Sequence, residues 1–227
     1  MSDVTPWSEV LEILAESTVA TLYMVLVSTL LAVLGGLPLG VLLHMSSPVG
    51  LSPRPVLYRA LGVVVDVVRS VPFVVLLVIL ASFTRLLIGT SIGTTAVIVP
   101  LVIGAVPFFA RLTQNALREV SFTVVEAAIT TGSSRLRIVW TVLLGEARAA
   151  LVGAVGVTAV ALIGYAAMAG AIGGGGLGTT AIQDGYQGYD DRLLYGSVLV
   201  LAVLAFGMQL ITDSTAKLVD RRRTASG

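Results

Sequence analysis

The chain has no cysteine and a single histidine, His44. The first absence excludes disulfides, iron–sulfur ligation and thiol catalysis. With one histidine, no GxSxG elbow and no paired carboxylates inside the apolar runs, an intramembrane enzyme has little chemistry to work with. Charge is scarce too, at 12% of residues, and Lys217 is the only lysine. A formal net charge of +1 excludes the strong electrostatic attraction expected of a nucleic-acid binder. Lys and Arg are missing from the acidic opening segment, which carries Asp3, Glu9, Glu12 and Glu16. A cleaved secretory signal, which needs a basic start, is therefore not expected.

What the chain has in abundance is apolar surface, 56% of its residues and more than one soluble core can bury. Long apolar runs with charge at their ends predict transmembrane helices at about 18–43, 61–83, 91–112, 149–172 and 193–215. The runs are apolar all round, without the alternation of a barrel strand, so the fold class is all-α: a polytopic membrane protein with five spans. Arginine follows the first span (Arg54, Arg59), the third (Arg111, Arg118, Arg135, Arg137, Arg148) and the fifth (Arg221, Arg222, Arg223, with Lys217). The intervening loops hold only Arg85 and Arg192, which places the amino terminus outside and the carboxyl terminus in the cytoplasm. Residues 1–17, with Trp7, Leu11 and Leu14 at helical spacing, read as an outer interfacial segment, and 216–227 as a cytoplasmic tail.

Turn-forming residues gather at Ser46 to Pro55, Gly89 to Thr95 and Gly170 to Gly188, the last read as a flexible outer loop. No internal repeat is visible, which argues against an inverted-repeat carrier and for one membrane domain over 18–215. Gly36 and Gly40, and Gly153, Gly156, Ala159 and Gly164, are small-residue surfaces suited to close helix approach, within the chain or across a dimer seam. Gly173, Gly175 and Gly178 spell GxGxxG, but a membrane helix precedes them and no βαβ unit exists, so nucleotide binding there is rejected. Asp66 and Arg69 can pair on one helix face, and Pro72 should bend that span, a bend that could open and close a pathway. His44 is expected at the membrane interface rather than as a ligand.

Between 119 and 146 the periodicity becomes that of short amphipathic helices on the cytoplasmic side. Thr123 and Glu126 have the spacing of a capping box, Gly132 breaks the helix, and Ser133 or Ser134 can cap the next one. Leu136, Val139, Trp140, Leu143 and Leu144 then form one apolar stripe. Ala127 and Ala128 leave a flat patch on which another surface could rest.

This run, Glu126-Ala127-Ala128, three residues, Gly132, nine residues, then Val142-Leu143-Leu144-Gly145, resembles the EAA loop of ABC importer permeases. It departs from that pattern at Gly145, where the family carries proline. The likeness extends over most of the chain and is nearest to the permeases of methionine importers. Arg69-Ser70-Val71-Pro72-Phe73, Gly89-Thr90-Ser91-Ile92-Gly93, Ala105-Val106-Pro107-Phe108 with Ala110-Arg111, and Gly164-Tyr165-Ala166-Ala167-Met168 leading to Gly175, Leu177 and Gly178 carry it. The resemblance implies a type I ABC importer permease fold and a transporter subunit rather than an enzyme. It implies a homodimer on two cytoplasmic ABC ATPase subunits, which would hold the ATP and magnesium, with no cofactor in this chain. It also implies an extracytoplasmic substrate-binding lipoprotein that loads an amino acid, most closely methionine, in the L or D form. Glu126, Ala127, Ala128, Gly132, Leu144 and Gly145 would then couple to the ATPases. Tyr165, Met168, Arg69 and Pro72 would line or gate the pathway, a soft thioether and a polar-tipped ring suiting a thioether substrate. Asp184, Tyr186, Tyr189, Asp190 and Asp191 are either a solvated acidic loop or a docking surface for the outer protein. The alternatives are a permease for another small solute and an ion-coupled carrier.

Overall fold

Residues 6–220 are described by a computed structural model, and every regular element among them is helical. Asp3 and the arginines at 221–223, used above as terminal charge, lie outside the described residues. In chain order the helices are α1 (Trp7–Ser46), α2 (Pro55–Ser70), α3 (Phe73–Ile88), α4 (Thr94–Arg118), α5 (Phe122–Thr130) and α6 (Arg135–Ile172). Then come α7, which is Gly176–Thr179 continued as a π-helix over Thr180–Gln187, and α8 (Asp191–Val219). By length and apolar character α1, α4, α6 and α8 can each cross a bilayer, and α2 with α3 makes a fifth span if the broken pair is counted as one. Large side chains such as Leu26, Leu30 and Leu34 on α1 and Leu199, Val203 and Phe206 on α8 are more than half exposed, the pattern of helices solvated by lipid.

Two boundaries differ from the sequence reading. No separate helix precedes the first span, because α1 runs 40 residues without a break. The polar stretch that suggested a junction is absorbed into it: the Thr18 hydroxyl donates to the Leu14 carbonyl at 2.6 Å and the Thr21 hydroxyl to Ser17 at 2.9 Å. At the second run the expected bend is a full break. Pro72 has no N–H to continue α2, and its carbonyl instead accepts the amides of Val75 and Leu76 at 2.9 and 3.0 Å, starting α3.

The chain forms two compact units, Met1–Leu31 with Val71–Ala105 and Ala159–Gln209, and Ala32–Ser70 with Val106–Thr158 and Leu210–Gly227. In the first, Val10 and Leu14 are buried with Leu177 and Leu193, so α1, α7 and α8 share one apolar cluster. The glycine-rich segment placed there is not a flexible loop. Leu177 is fully buried, its amide donates to the Thr21 hydroxyl at 2.9 Å, and a Cβ on Gly178 would lie 2.5 Å from the Ala167 carbonyl oxygen. These glycines bring the backbone of α7 against that of α6.

In the second unit α1 lies directly on α4. A Cβ on Gly36 would meet the Val106 carbonyl oxygen at 2.8 Å, and one on Gly40 would meet the Ala110 carbonyl oxygen and Thr113 Cβ at 2.5 Å. The Gly36–Gly40 surface is thus used inside the chain. Gly156 is likewise closed by Thr212 of α8, whereas Gly153 has nothing near it. His44, expected at an interface, is buried at 7% exposure. Arg111 of α4 joins α2 through its Nη2, which donates to both Asp66 oxygens at 2.6 Å, while Arg69, the partner expected from spacing, stays within ion-pair range at 3.8 Å. A planar guanidinium at the right height on a neighbouring helix outcompetes a side chain one turn along.

Two measurements on the detergent-solubilised protein check this packing. Gly40→Leu is expected to lower stability by about 1–3 kcal/mol through overpacking, whereas Gly207→Ala, in open space within α8, should be neutral or stabilising by up to about 1 kcal/mol. Equal melting temperatures for the two variants would contradict the α1–α4 contact. Arg111→Ala is expected to destabilise by about 1 kcal/mol, the Asp66 side chain being 58% exposed, and so to lower Tm by about 2–4 °C. Arg69→Ala should shift it less, and the reverse order would assign Asp66 to the wrong arginine.

Candidate functional site

Of the ten residues singled out, six fall on one structural knuckle, α5, the turn after it and the first turns of α6. α5 begins at Ser121, whose side chain makes no capping hydrogen bond, so Thr123 lies inside the helix and the capping box with Glu126 does not form. Glu126 is left with an exposed side chain on the helix surface, next to exposed Ala127 and half-buried Ala128. Only Val125 of α5 is buried. It enters a cluster with Leu117 at the end of α4, Val120 just after it, and Ile138, Val139, Leu143 and Ala147 of α6, and Ala128 packs on the edge of that cluster.

The turn is closed by backbone geometry. Gly132 has φ +77°, the left-handed region where a Cβ is strained. Its amide donates to the Ile129 carbonyl at 2.9 Å and that of Ser133 to the Ala128 carbonyl at 3.1 Å, the pair of bonds that defines a Schellman ending. The Thr130 and Thr131 hydroxyls donate to Ala127 and Ala128 at 2.9 and 3.0 Å, so the carbonyls of the last turn are occupied. Ser134 then caps α6, accepting from the Arg137 amide at 3.4 Å. The second of the two serines weighed above is the cap.

α6 does not stop at Gly145. It continues as one helix of 38 residues to Ile172, so the corner expected where the family has proline is a helix interior. Gly145 is exposed and Leu144 half-buried. Near its start the helix widens into a π-helix over Ile138–Leu143. The wider turn rotates the apolar stripe: Ile138, Val139 and Leu143 point inward, while Leu136 and Trp140 are 68% and 64% exposed. A strict 3.6-residue period cannot anticipate that shift.

The remaining four candidates do not form one cluster. Tyr165 is half-buried and its ring stacks on Phe73 at a centroid distance of 4.6 Å and 12° between planes. Pro72, exposed, places Phe73 there by starting α3. Met168 is 48% exposed one turn further along α6. Arg69 belongs to the other compact unit, where its guanidinium lies 5.7 Å from the Phe108 ring centroid. Phe73 and Arg111 are the residues the sequence reading did not assign. Both lie within the motifs that carry the family resemblance, and neither has a local signal for its partner: Phe73 meets Tyr165 and Arg111 meets Asp66 from distant parts of the chain.

Among the outer residues, Asp190 accepts the amides of Arg192 and Leu193 at 2.9 and 3.3 Å, which makes it the cap of α8. Tyr186 and Tyr189 are 70% and 85% exposed, and partial burial pushes the Asp184 carboxyl above the usual carboxylate range. Arg192 stacks over Trp7, 4.8 Å from its ring centroid. No group of acids and histidines among the described residues could hold a metal ion.

Comparison with known proteins bears on this arrangement. Residues 36–225 match the family described as binding-protein-dependent transport system inner membrane component. A relative from Vibrio cholerae serotype O1, named "Probable D-methionine transport system permease protein MetI", is 46% identical over 93% of this chain and 94% of its own. The "Methionine import system permease protein MetP" of Bacillus subtilis is 40% identical over 80% and 82%. A chain of the solved MetNI methionine ABC transporter, in an inward facing conformation, superposes with a TM-score of 0.92 at 39% identity, covering 96% of this chain and 100% of that one. The helical order, the broken second span and the knuckle therefore sit in a known scaffold, and this multi-pass membrane protein belongs to the family of binding-protein-dependent transport system inner membrane components.

Proposed function

We propose that the chain is the permease subunit of an ATP-driven importer of methionine, in the L form, the D form or both. Two copies would enclose the pathway. Two ATPase subunits, which hold the ATP and magnesium, would dock on the arginine-rich cytoplasmic side, and a substrate-binding lipoprotein would deliver methionine from outside. The amino terminus then lies outside and the carboxyl terminus inside. The names of relatives at 40–46% identity and the likeness to MetNI support the substrate and the ATPase partner. They favour neither a different solute nor an ion-coupled carrier.

The observation that carries the reading is the α5–Gly132–α6 knuckle. Glu126, Ala127 and Gly132 are exposed on it while Val125 and Ala128 anchor it. An exposed surface on a turn with its carbonyls occupied can receive a push without bending, and α6 runs from that turn without a break to Tyr165 and Met168. An ATPase pair that grips the knuckle in only one position would bias the spans between outward and inward access. Leu144 and Gly145, inside α6, move with it. Pro72, by uncoupling α3 from α2, gives Phe73 and its stacked partner Tyr165 a hinge, and Met168 presents a soft surface to a thioether.

Uptake of labelled methionine into vesicles carrying the permease, its ATPase and its binding protein is expected to require ATP and to survive ionophores. Uptake that outlasts ATP depletion and collapses with the ion gradient would replace the importer by a carrier. Gly132→Val forces a branched side chain into positive φ, which costs about 1–2 kcal/mol, and should cut uptake about ten-fold while ATP is still hydrolysed. Glu126→Ala should act in the same direction, and full coupled uptake in both variants would remove the knuckle from the mechanism.

A further inference from the structure

A second feature of the arginine-rich unit shares the first turns of α6 with the knuckle but lies on the side facing the end of α1. A cavity of about 530 Å³ lies between the last turns of α1 and the first turns of α6. Its walls are apolar, with Leu37, Val41, Leu136 and Trp140 prominent, but Ser52, Arg54 and Arg135 also line it and no carboxylate does.

The two kinds of lining are segregated. The Arg54 amide bonds the Ser46 carbonyl at 3.0 Å and the Ser52 amide bonds Met45 at 3.1 Å, which puts both residues at the Ser46 end of α1. Arg135, at the start of α6, reaches the Ser52 hydroxyl at 3.4 Å. Leu37 and Leu144 mark the other end, and the α1 wall from Leu37 to Ser46 rises about 13 Å. Arg54 is exposed, and no acid among the described residues pairs with it or with Arg135. Trp140, 64% exposed, stands in the wall with an amphipathic ring suited to the headgroup level.

We infer that this groove binds an anionic phospholipid from the inner leaflet, its phosphate held by Arg54, Arg135 and the Ser52 hydroxyl and its acyl chain laid along Leu37, Val41, Leu136 and Trp140. Charge complementarity selects the occupant. Two arginines without a counter-ion at one end and a dry channel at the other match a molecule that is anionic at one end and hydrocarbon beyond. A zwitterionic lipid fills the channel but brings its own cation to the arginines, and a helix of a second copy would leave two guanidinium groups buried without partners.

The groove contains its own reporter. In a Trp7→Phe background Trp140 is the only tryptophan, and brominated acyl chains quench a tryptophan they touch. The full-length chain in neutral detergent is titrated with dibrominated phosphatidylglycerol and, separately, dibrominated phosphatidylcholine. Phosphatidylglycerol is expected to quench Trp140 at a concentration lower by about five-fold for each arginine engaged. Arg54→Gln with Arg135→Gln should erase the difference, while the Lys pair and Arg59→Gln, outside the groove, should retain most of it. The Lys pair distinguishes lost charge from lost fold. Equal quenching by the two lipids in the parent, a preference that persists in the Gln pair, or no quenching by either because a second copy covers Trp140 would each overturn the assignment.

Discussion

Peptide groups facing hydrocarbon find no water to bind, and that shortage shapes every element of this chain. It is why α1 and α6 run for 40 and 38 residues and why the hydroxyls of Thr18, Thr21 and Thr158 turn back onto their own helices. The chain interrupts its helices in two ways. At Pro72 the missing donor is compensated by starting a new helix on the proline's own carbonyl, and at Gly132 the free carbonyls are taken up by two amides and two hydroxyls. The turn at Gly132 is thus a closed structure, whereas Pro72 separates α2 from α3.

Helices so complete in themselves gain little from mutual hydrogen bonds, and their association rests on close approach. Gly36 and Gly40 against α4, Gly156 against Thr212 and Gly178 against α6 are positions where one Cβ would separate two backbones. Polar contacts are few and local, with Arg111 on Asp66 and Arg118 on the Tyr58 hydroxyl at 2.9 Å tying α2 to α4. The cytoplasmic knuckle is built differently, around a small buried cluster of Val125, Ile138, Val139 and Leu143, as in a soluble domain.

The arginines serve more than one purpose in this economy. Their uneven placement supports the proposed orientation of the chain, Arg111 joins a helix pair, and Arg54 and Arg135 sit at the polar end of an apolar channel. The same residue type is read three ways because its surroundings differ: a carboxylate on a facing helix, or none within reach.

Long apolar runs, asymmetric arginine and the Glu126 to Gly145 spacing are local properties, and the amino-acid sequence alone determined from them an all-α membrane protein and the place of the Gly132 turn, with its fifth span present only if α2 and α3 are counted as one. Gly132 itself was legible because positive φ is a property of one residue and its neighbours. What depended on distant partners was not. Ser121 rather than Thr123 stands at the start of α5 and its side chain makes no cap bond, Asp66 gained Arg111 as a nearer partner beside Arg69, the π-helix at Ile138 rotated the stripe, and the glycines of 170–178 packed rather than swung free. Each of these was decided by which surface arrives from elsewhere in the chain, a matter of tertiary geometry that spacing along one helix does not encode.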